Sequence, residues 1–458
     1  MFRYMNRGRE FYARVARLAV PLILQYLLSN TLSIVDSIIV GSLGETATAS
    51  ITLANIPLRV LMTFAFGAQC GTSVLISQFN GKGDTDSVNR ATGVGLWFVV
   101  ICTVLYSSVM FIAPYQFMGL FGNDAEVIAY SVDYGKWVAL SYVFNIFDLI
   151  YITLLRSVEK PTFGTAVLCS TTVLKIVLDY ILVKGCFGIA PMGVFGAGLS
   201  TLITRLVEFA AVLLHMFLSK DFQLEPKYLL MPGWDMVKRY FVTCGPIILN
   251  DTVWGVGASA ITNVMSHMSN SVAVLSAYSI ASSVENMINS LTSGGSSVAA
   301  VIVGTEIGAG RSNKTIKEYA YAIVTLFTGV GIVASGLLIL IKYLVCPTFL
   351  YPLYGLSEDA QGICSMMITV GAFLVPMKAF NNAIASGVLR GGGDVKVGAL
   401  IDTLPLCAGA VPYAYLMGFV FNAGPLWVYL AFIVQYVIQT FFGGWRLVSD
   451  SWIHDVTT

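Results

Sequence analysis

Charge is what this chain lacks. Of its 458 residues, 11% are Asp, Glu, Lys or Arg and 56% are hydrophobic, whereas ordinary globular proteins carry about 25% charged residues. A soluble domain of this size needs far more charge to cover its surface, so soluble enzymes are excluded. Disorder is excluded by the same numbers and by a mean hydropathy of +0.77, because disordered chains are poor in aliphatic and aromatic residues. The net charge is +1, so no basic field points to nucleic acid. None of the eight cysteines (Cys70, Cys102, Cys169, Cys186, Cys244, Cys346, Cys364 and Cys407) forms a C-x-x-C pair. They read as small hydrophobes inside helices. The three histidines, His215, His267 and His454, are too scattered for a zinc site. There is no Walker A lysine motif, so ATP does not drive the protein directly. Neither metal, cofactor nor enzyme activity is expected.

What is present is apolar sequence in long runs. The lipid bilayer is therefore the expected solvent. About twelve segments are long enough to cross a hydrocarbon core that takes about 20 helical residues, and nothing alternates as β-barrel strands do. The first run continues to about Leu43, too long for a signal peptide's apolar core, and reads as a retained span. Positive charge orients the spans. Arg3, Arg7, Arg9, Arg14 and Arg17, then Lys82, Arg90, Arg156, Lys160, Lys220, Lys227, Lys238 and Arg239, fall on one side. So do Arg311, Lys314, Lys317, Arg390, Lys396 and Arg446, while Lys184 and Lys342 fall on the other. Both termini are expected to be cytoplasmic.

The chain is also written twice. Ala19-Val20-Pro21-Leu22-Ile23-Leu24-Gln25 recurs as Cys244-Gly245-Pro246-Ile247-Ile248-Leu249-Asn250. Gln78 to Gly83 recurs as Thr305 to Gly310 with glycines in register, Asp124-Ala125 as Asp359-Ala360, and Leu155-Arg156 as Leu389-Arg390. Six spans per copy keep both copies in one orientation, a parallel repeat. The expected fold is all-α and integral to the membrane, in two six-helix lobes related by that repeat. Residues 1–220 form the N-terminal lobe, 221–234 a polar linker with Asp221, 235–448 the C-terminal lobe and 449–458 a cytoplasmic tail. Duplicated lobes around a central pathway are a construction of secondary transporters.

An ionisable side chain within a span is costly and is a functional-site hypothesis by default. Asp36 lies among Ile34, Val35, Ile38 and Ile39 in the first span. Lys175 and Asp179 lie four residues apart in the fifth, on one helix face. In the second lobe stand Asp251, Glu285 and Lys378; either acid is a candidate partner for the lysine or for a cationic substrate. Asp148, near Asn145 in the fourth span, is another candidate for the substrate cavity. Arg205 and Glu208, three apart in the sixth, read as a structural pair. Tyr278, Met287 and Phe380 are candidates for an adaptable apolar pocket.

The chain resembles the multidrug and toxic compound extrusion (MATE) transporters along nearly its whole length. The matching pieces are Val35 to Gly41, the two glycine-paired loops, Leu155-Arg156, Leu389 to Asp394, and Gly193 to Thr201 entering the sixth span. Their order and spacing carry the likeness. The resemblance implies two lobes around a V-shaped cavity, alternating access, and export driven by a proton or sodium gradient. Carried over residue by residue, it makes Asp36, Lys175, Asp179 and Thr201 a cation site. Lys175 departs from the family's Asn at that position. An ammonium there takes the place of a hard cation, so proton coupling is favoured over sodium. The span-ten acid of some relatives is Ala379 here. The expected partners are small organic substrates, favoured as cationic amphiphiles by an acidic cavity, with protons or sodium ions and the lipid bilayer. A monomer in a bacterial plasma membrane is expected. The alternative is a flippase of the same superfamily that moves lipid-linked oligosaccharide.

Overall fold

A computed structural model describes residues 7–457, apart from 42, 44, 123, 187, 189, 220, 221, 223, 269, 355 and 450. Arg3, Lys220 and Asp221 thus lie outside the described residues. Twelve long helices follow one another among the described residues. The first six are α1 (Arg9–Gly41), α2 (Glu45–Lys82), α3 (Thr85–Ile112), α4 (Ala125–Ser157), α5 (Thr162–Lys184) and α6 (Gly193–Leu218). The next six are α7 (Trp234–Ser266), α8 (Ser271–Gly308), α9 (Asn313–Leu344), α10 (Glu358–Leu389), α11 (Val395–Val420) and α12 (Pro425–Val448). The one strand-like pairing among the described residues is an isolated bridge between Gly393 and Ile453.

Eleven of these helices are long and apolar enough to cross a membrane, against about twelve expected. The helix outside that set is α7, which has the length, 33 residues, but carries Asn250 and Asp251 in mid-course. Both polar groups find partners, as shown below, so the helix needs less hydrophobicity than its neighbours. Large apolar side chains face outwards along the others, among them Val20, Ile101, Leu105, Ile112, Leu214 and Phe373. Such exposure suits lipid and not water. The chain is a multi-pass helical membrane protein.

Two compact units emerge. One contains Met1–Tyr26, Ser77–Gly83 and Leu249–Thr458; the other contains Leu27–Ile76 and Asp84–Ile248. The units part inside α1, α2 and α7 and not in the linker around residues 221–234. Within the first unit, Phe11, Val15, Leu18 and Leu22 of α1 join a core with Val298, Ile302, Phe327 and Trp452. After α12, Trp452 belongs to this core and Ile453 packs against it. Trp452 is fully buried, and the Val456 amide donates to Gln78 Oε1 at 2.8 Å.

The repeated turns are repeated in geometry. Gly83 and Gly310 both take positive φ, 77° and 67°, the left-handed conformation in which glycine ends a helix without steric cost. A new helix is then capped, by Asp84 accepting from the Ser87 amide at 3.0 Å and by Ser312 accepting from the Thr315 amide at 3.4 Å. The Asp124–Asp359 correspondence is looser. Asp124 caps α4 through the Glu126 amide at 2.9 Å, whereas α10 is capped by Ser357 and Asp359 stands in its first turn.

In the first unit, the end of α2 lies against α8 with almost no space between backbones. A Cβ on Gly308 would stand 1.8 Å from the Gln78 carbonyl oxygen, and one on Gly81 would stand 2.0 Å from that of Thr305. Small residues allow such approach in membrane helices. Gly308→Ala is expected to cost at least about 1–3 kcal/mol by overpacking. Gly336→Ala, with open space around it, serves as the neutral control, and thermal unfolding in detergent checks both.

Candidate functional site

Three side chains singled out by their charge meet in the second unit. Asp36 comes from α1, and Lys175 and Asp179 come from one face of α5. The Lys175 ammonium donates to Asp36 Oδ1 at 3.4 Å and also forms a short ion pair with Asp179. Ser200, two turns into α6, donates a short hydrogen bond to the other oxygen of Asp179. Burial is graded: the side chains of Asp179, Lys175 and Asp36 are 3%, 11% and 38% exposed. A turn along each of the same helices stand Ile39, Val183 and Ala197, which pack together with Val35 and Tyr134 partly buried around them. An apolar wall therefore bounds the charged cluster on one side. One ammonium lies between two carboxylates, so the cluster carries one negative charge when all three groups are ionised.

Thr201 does not join it. Its hydroxyl donates to the Ala197 carbonyl at 2.9 Å on its own helix, while the preceding residue faces Asp179. One residue turns a helical side chain by about 100°, which moves the polar ligand from Thr201 to Ser200.

The acids and lysine of the second lobe divide into two clusters of the first unit. Lys378 on α10 donates to Glu285 Oε2 on α8 at 2.8 Å, and the Tyr429 hydroxyl donates to Oε1 at 2.5 Å. The ammonium also lies 5.6 Å from the centre of the Tyr436 ring. Gly371 makes room for this acid, since a Cβ there would stand 2.1 Å from Glu285 Oε1. Tyr278 packs edge-on to Tyr429, Phe380 packs against the Phe327 core, and Met287 is exposed. Asp251 takes a different cation. Arg390 donates to Asp251 at 2.9 Å and lies 3.6 Å from Asp402. Asn250 donates to Asp402 at 2.9 Å and to Asp251 at 3.1 Å, and Gln439 donates to the second Asp402 oxygen at 2.9 Å. Arg390 and Asp402 were not among the expected site residues. Asp402 had a readable signal, an acid inside an apolar run of α11; Arg390 did not, because it borders a loop.

Asp148 stands apart from all three clusters. It is fully buried on α4, so it lines no open surface in this conformation. Arg205 and Glu208 form the expected pair, at 2.6 Å. No group of three or more His, Cys, Asp or Glu able to hold a metal ion occurs among the described residues.

Apolar spans in two units, with most of their buried charges gathered into ion-paired clusters, define a polytopic membrane protein. The MatE family model matches residues 21–181 and 246–416. The chain belongs to the MatE family. A protein of Bradyrhizobium diazoefficiens named "Probable multidrug resistance protein NorM" is 26% identical over 444 residues, covering 94% of this chain and 91% of that one. A Bacillus subtilis protein named "Probable multidrug resistance protein YoeA" is 22% identical, covering 87% and 85%. Solved structures share the fold. A mutant of the Vibrio cholerae MATE transporter VcmN superposes with TM-score 0.84 at 17% identity over 96% of each chain. The eukaryotic MATE transporter AtDTX14 gives 0.82 at 19% identity over 98% of each.

Proposed function

We propose that this chain is a cation-coupled multidrug efflux antiporter. It exports organic, cationic amphipathic compounds by alternating access, with protons as the coupling ion. The observation that carries the reading is Lys175 held between Asp36 and Asp179. A hard metal cation needs several oxygen ligands at once, and here an ammonium already engages both carboxylates and repels a second positive charge. A proton needs one oxygen. Uptake by Asp36, the more exposed acid, removes one of the two charges that hold Lys175 and shifts the lysine fully onto Asp179. Loss of the proton restores the three-way pairing. That alternation supplies the differential interaction that any ligand-driven change of state requires.

The substrate class rests on the names of the relatives and on chemistry. A buried acid that exchanges a proton for an organic cation binds one or the other, which is the logic of an antiporter. Glu285 and Asp251 meet such a substrate by exchange with Lys378 and Arg390, the cations that hold them. Lysine and arginine content orients the protein with both termini in the cytoplasm. A monomer in the bacterial plasma membrane is the assembly proposed.

The test uses purified protein in liposomes with a fluorescent cationic dye, under an imposed proton gradient and then a sodium gradient. Dye movement under the proton gradient alone is expected. Movement under sodium alone rejects proton coupling but keeps the antiporter. A dye that stays still under both rejects drug export and favours a lipid-linked oligosaccharide flippase.

A further inference from the structure

Asp148 has no exposed surface, and neither carboxyl oxygen has a hydrogen-bond partner among the described residues. An ionised carboxylate so placed has given up its hydration without any compensating bond, a state that a span tolerates least. The surroundings are built tightly. Phe144 and Phe147 of α4 pack on Phe209 of α6 with ring centres 5.3 Å apart in each case. Tyr151 hydrogen-bonds His215 at 2.9 Å two turns further along α6. Asp148 lies between Phe144 and Tyr151 on the α4 face that these contacts turn towards α6.

Among the described residues, the charged groups acting on Asp148 are Glu208 and Arg205, both on α6. Glu208 is itself fully buried, and its Oε1 has no hydrogen-bond partner among the described residues. Arg205 donates to the other oxygen, Oε2, at 2.6 Å. The charges then count simply. Arg205 neutralises Glu208, and nothing neutralises Asp148. A metal cation would find three free carboxyl oxygens beside a guanidinium, too few ligands and the wrong neighbour. A proton finds enough.

We infer that Asp148 is a second proton-binding site, occupied by a proton in this conformation, with Arg205 as the counter-ion that receives its carboxylate on release. On release Arg205 would serve two carboxylates, as Lys175 serves Asp36 and Asp179. A role for this proton in transport rests on the proton-coupled reading above, whereas its presence on Asp148 does not.

Infrared difference spectroscopy of the purified full chain at neutral pH tests the site. The probe is the C=O stretch of a neutral carboxylic acid, recognised by its shift in D2O. One such band is expected in the wild type and lost in Asp148→Asn, which keeps the shape of the neutral acid. It is lost in Glu208→Gln as well, because the freed Arg205 then holds Asp148 as a carboxylate. Identical spectra for wild type and Asp148→Asn overturn the proton site, and a band that survives Glu208→Gln overturns Arg205 as its counter-ion. If Asp148→Asn fails to fold, carboxyl-labelled aspartate in the wild type takes its place, and no label-sensitive band overturns the site. Dye transport separates the two readings. A wild type that moves no dye but shows the band sinks the antiporter and leaves the proton on Asp148.

Discussion

Lys175→Met is expected to lower stability by about 3–5 kcal/mol, the usual penalty for removing one partner of a buried ion pair. The loss is large because Asp179, 3% exposed, keeps Ser200 as its remaining hydrogen-bond donor. Methionine fills much the same space and adds no donor, so the deficit is electrostatic and not a cavity. Its sign with pH follows. Protonating Asp179 or Asp36 removes the uncompensated charge, so the gap between variant and wild type narrows as pH falls. Thermal unfolding in detergent across a pH series measures it. A deficit that stays constant at every pH would assign Lys175 a packing role instead.

The second large effect is on transport. Asp36→Asn is expected to reduce proton-driven dye export to the leak of empty liposomes, with little change in thermal stability. Asparagine resembles the protonated acid in shape and charge, so the fold keeps the Lys175–Asp179 pair. What disappears is the alternation, because Lys175 has no second carboxylate to return to. Glu285→Gln makes the contrast. Its lysine, Lys378, would be left buried with the Tyr436 ring as its neighbour, so stability falls there as well as activity.

The parts of this site that sequence made legible are those where chemistry broke an otherwise apolar pattern. Asp36, Lys175 and Asp179 stand out because a charge inside a span needs a reason, and two of them share a helix face by spacing alone. Ser200 carries no such signal in the run Ala197-Gly198-Leu199-Ser200-Thr201, where two neighbouring hydroxyls differ by rotation about the helix axis. The partners of Asp251 required a fold. Arg390 and Asp402 lie far along the chain and reach α7 through the packing of α10 and α11. The repeat foresaw the turn at Gly310 from the one at Gly83, since both need the same backbone conformation. It could not foresee that residues 451–457 fold onto Gln78, because that contact joins segments far apart in the chain that share no repeated motif. Nor does any periodicity mark Asp148 as fully enclosed; that depends on how Phe144, Phe147 and Phe209 fill the space between α4 and α6.

The central claim is that the Asp36–Lys175–Asp179 cluster trades a proton for a cationic substrate. Its most direct measurement is the proton released when a cationic dye is added to purified protein in weakly buffered detergent, read with a pH indicator, for wild type and Asp36→Asn. The account predicts release from the wild type and none from the cluster in the variant, so that the total falls. Equal release from both proteins would contradict it.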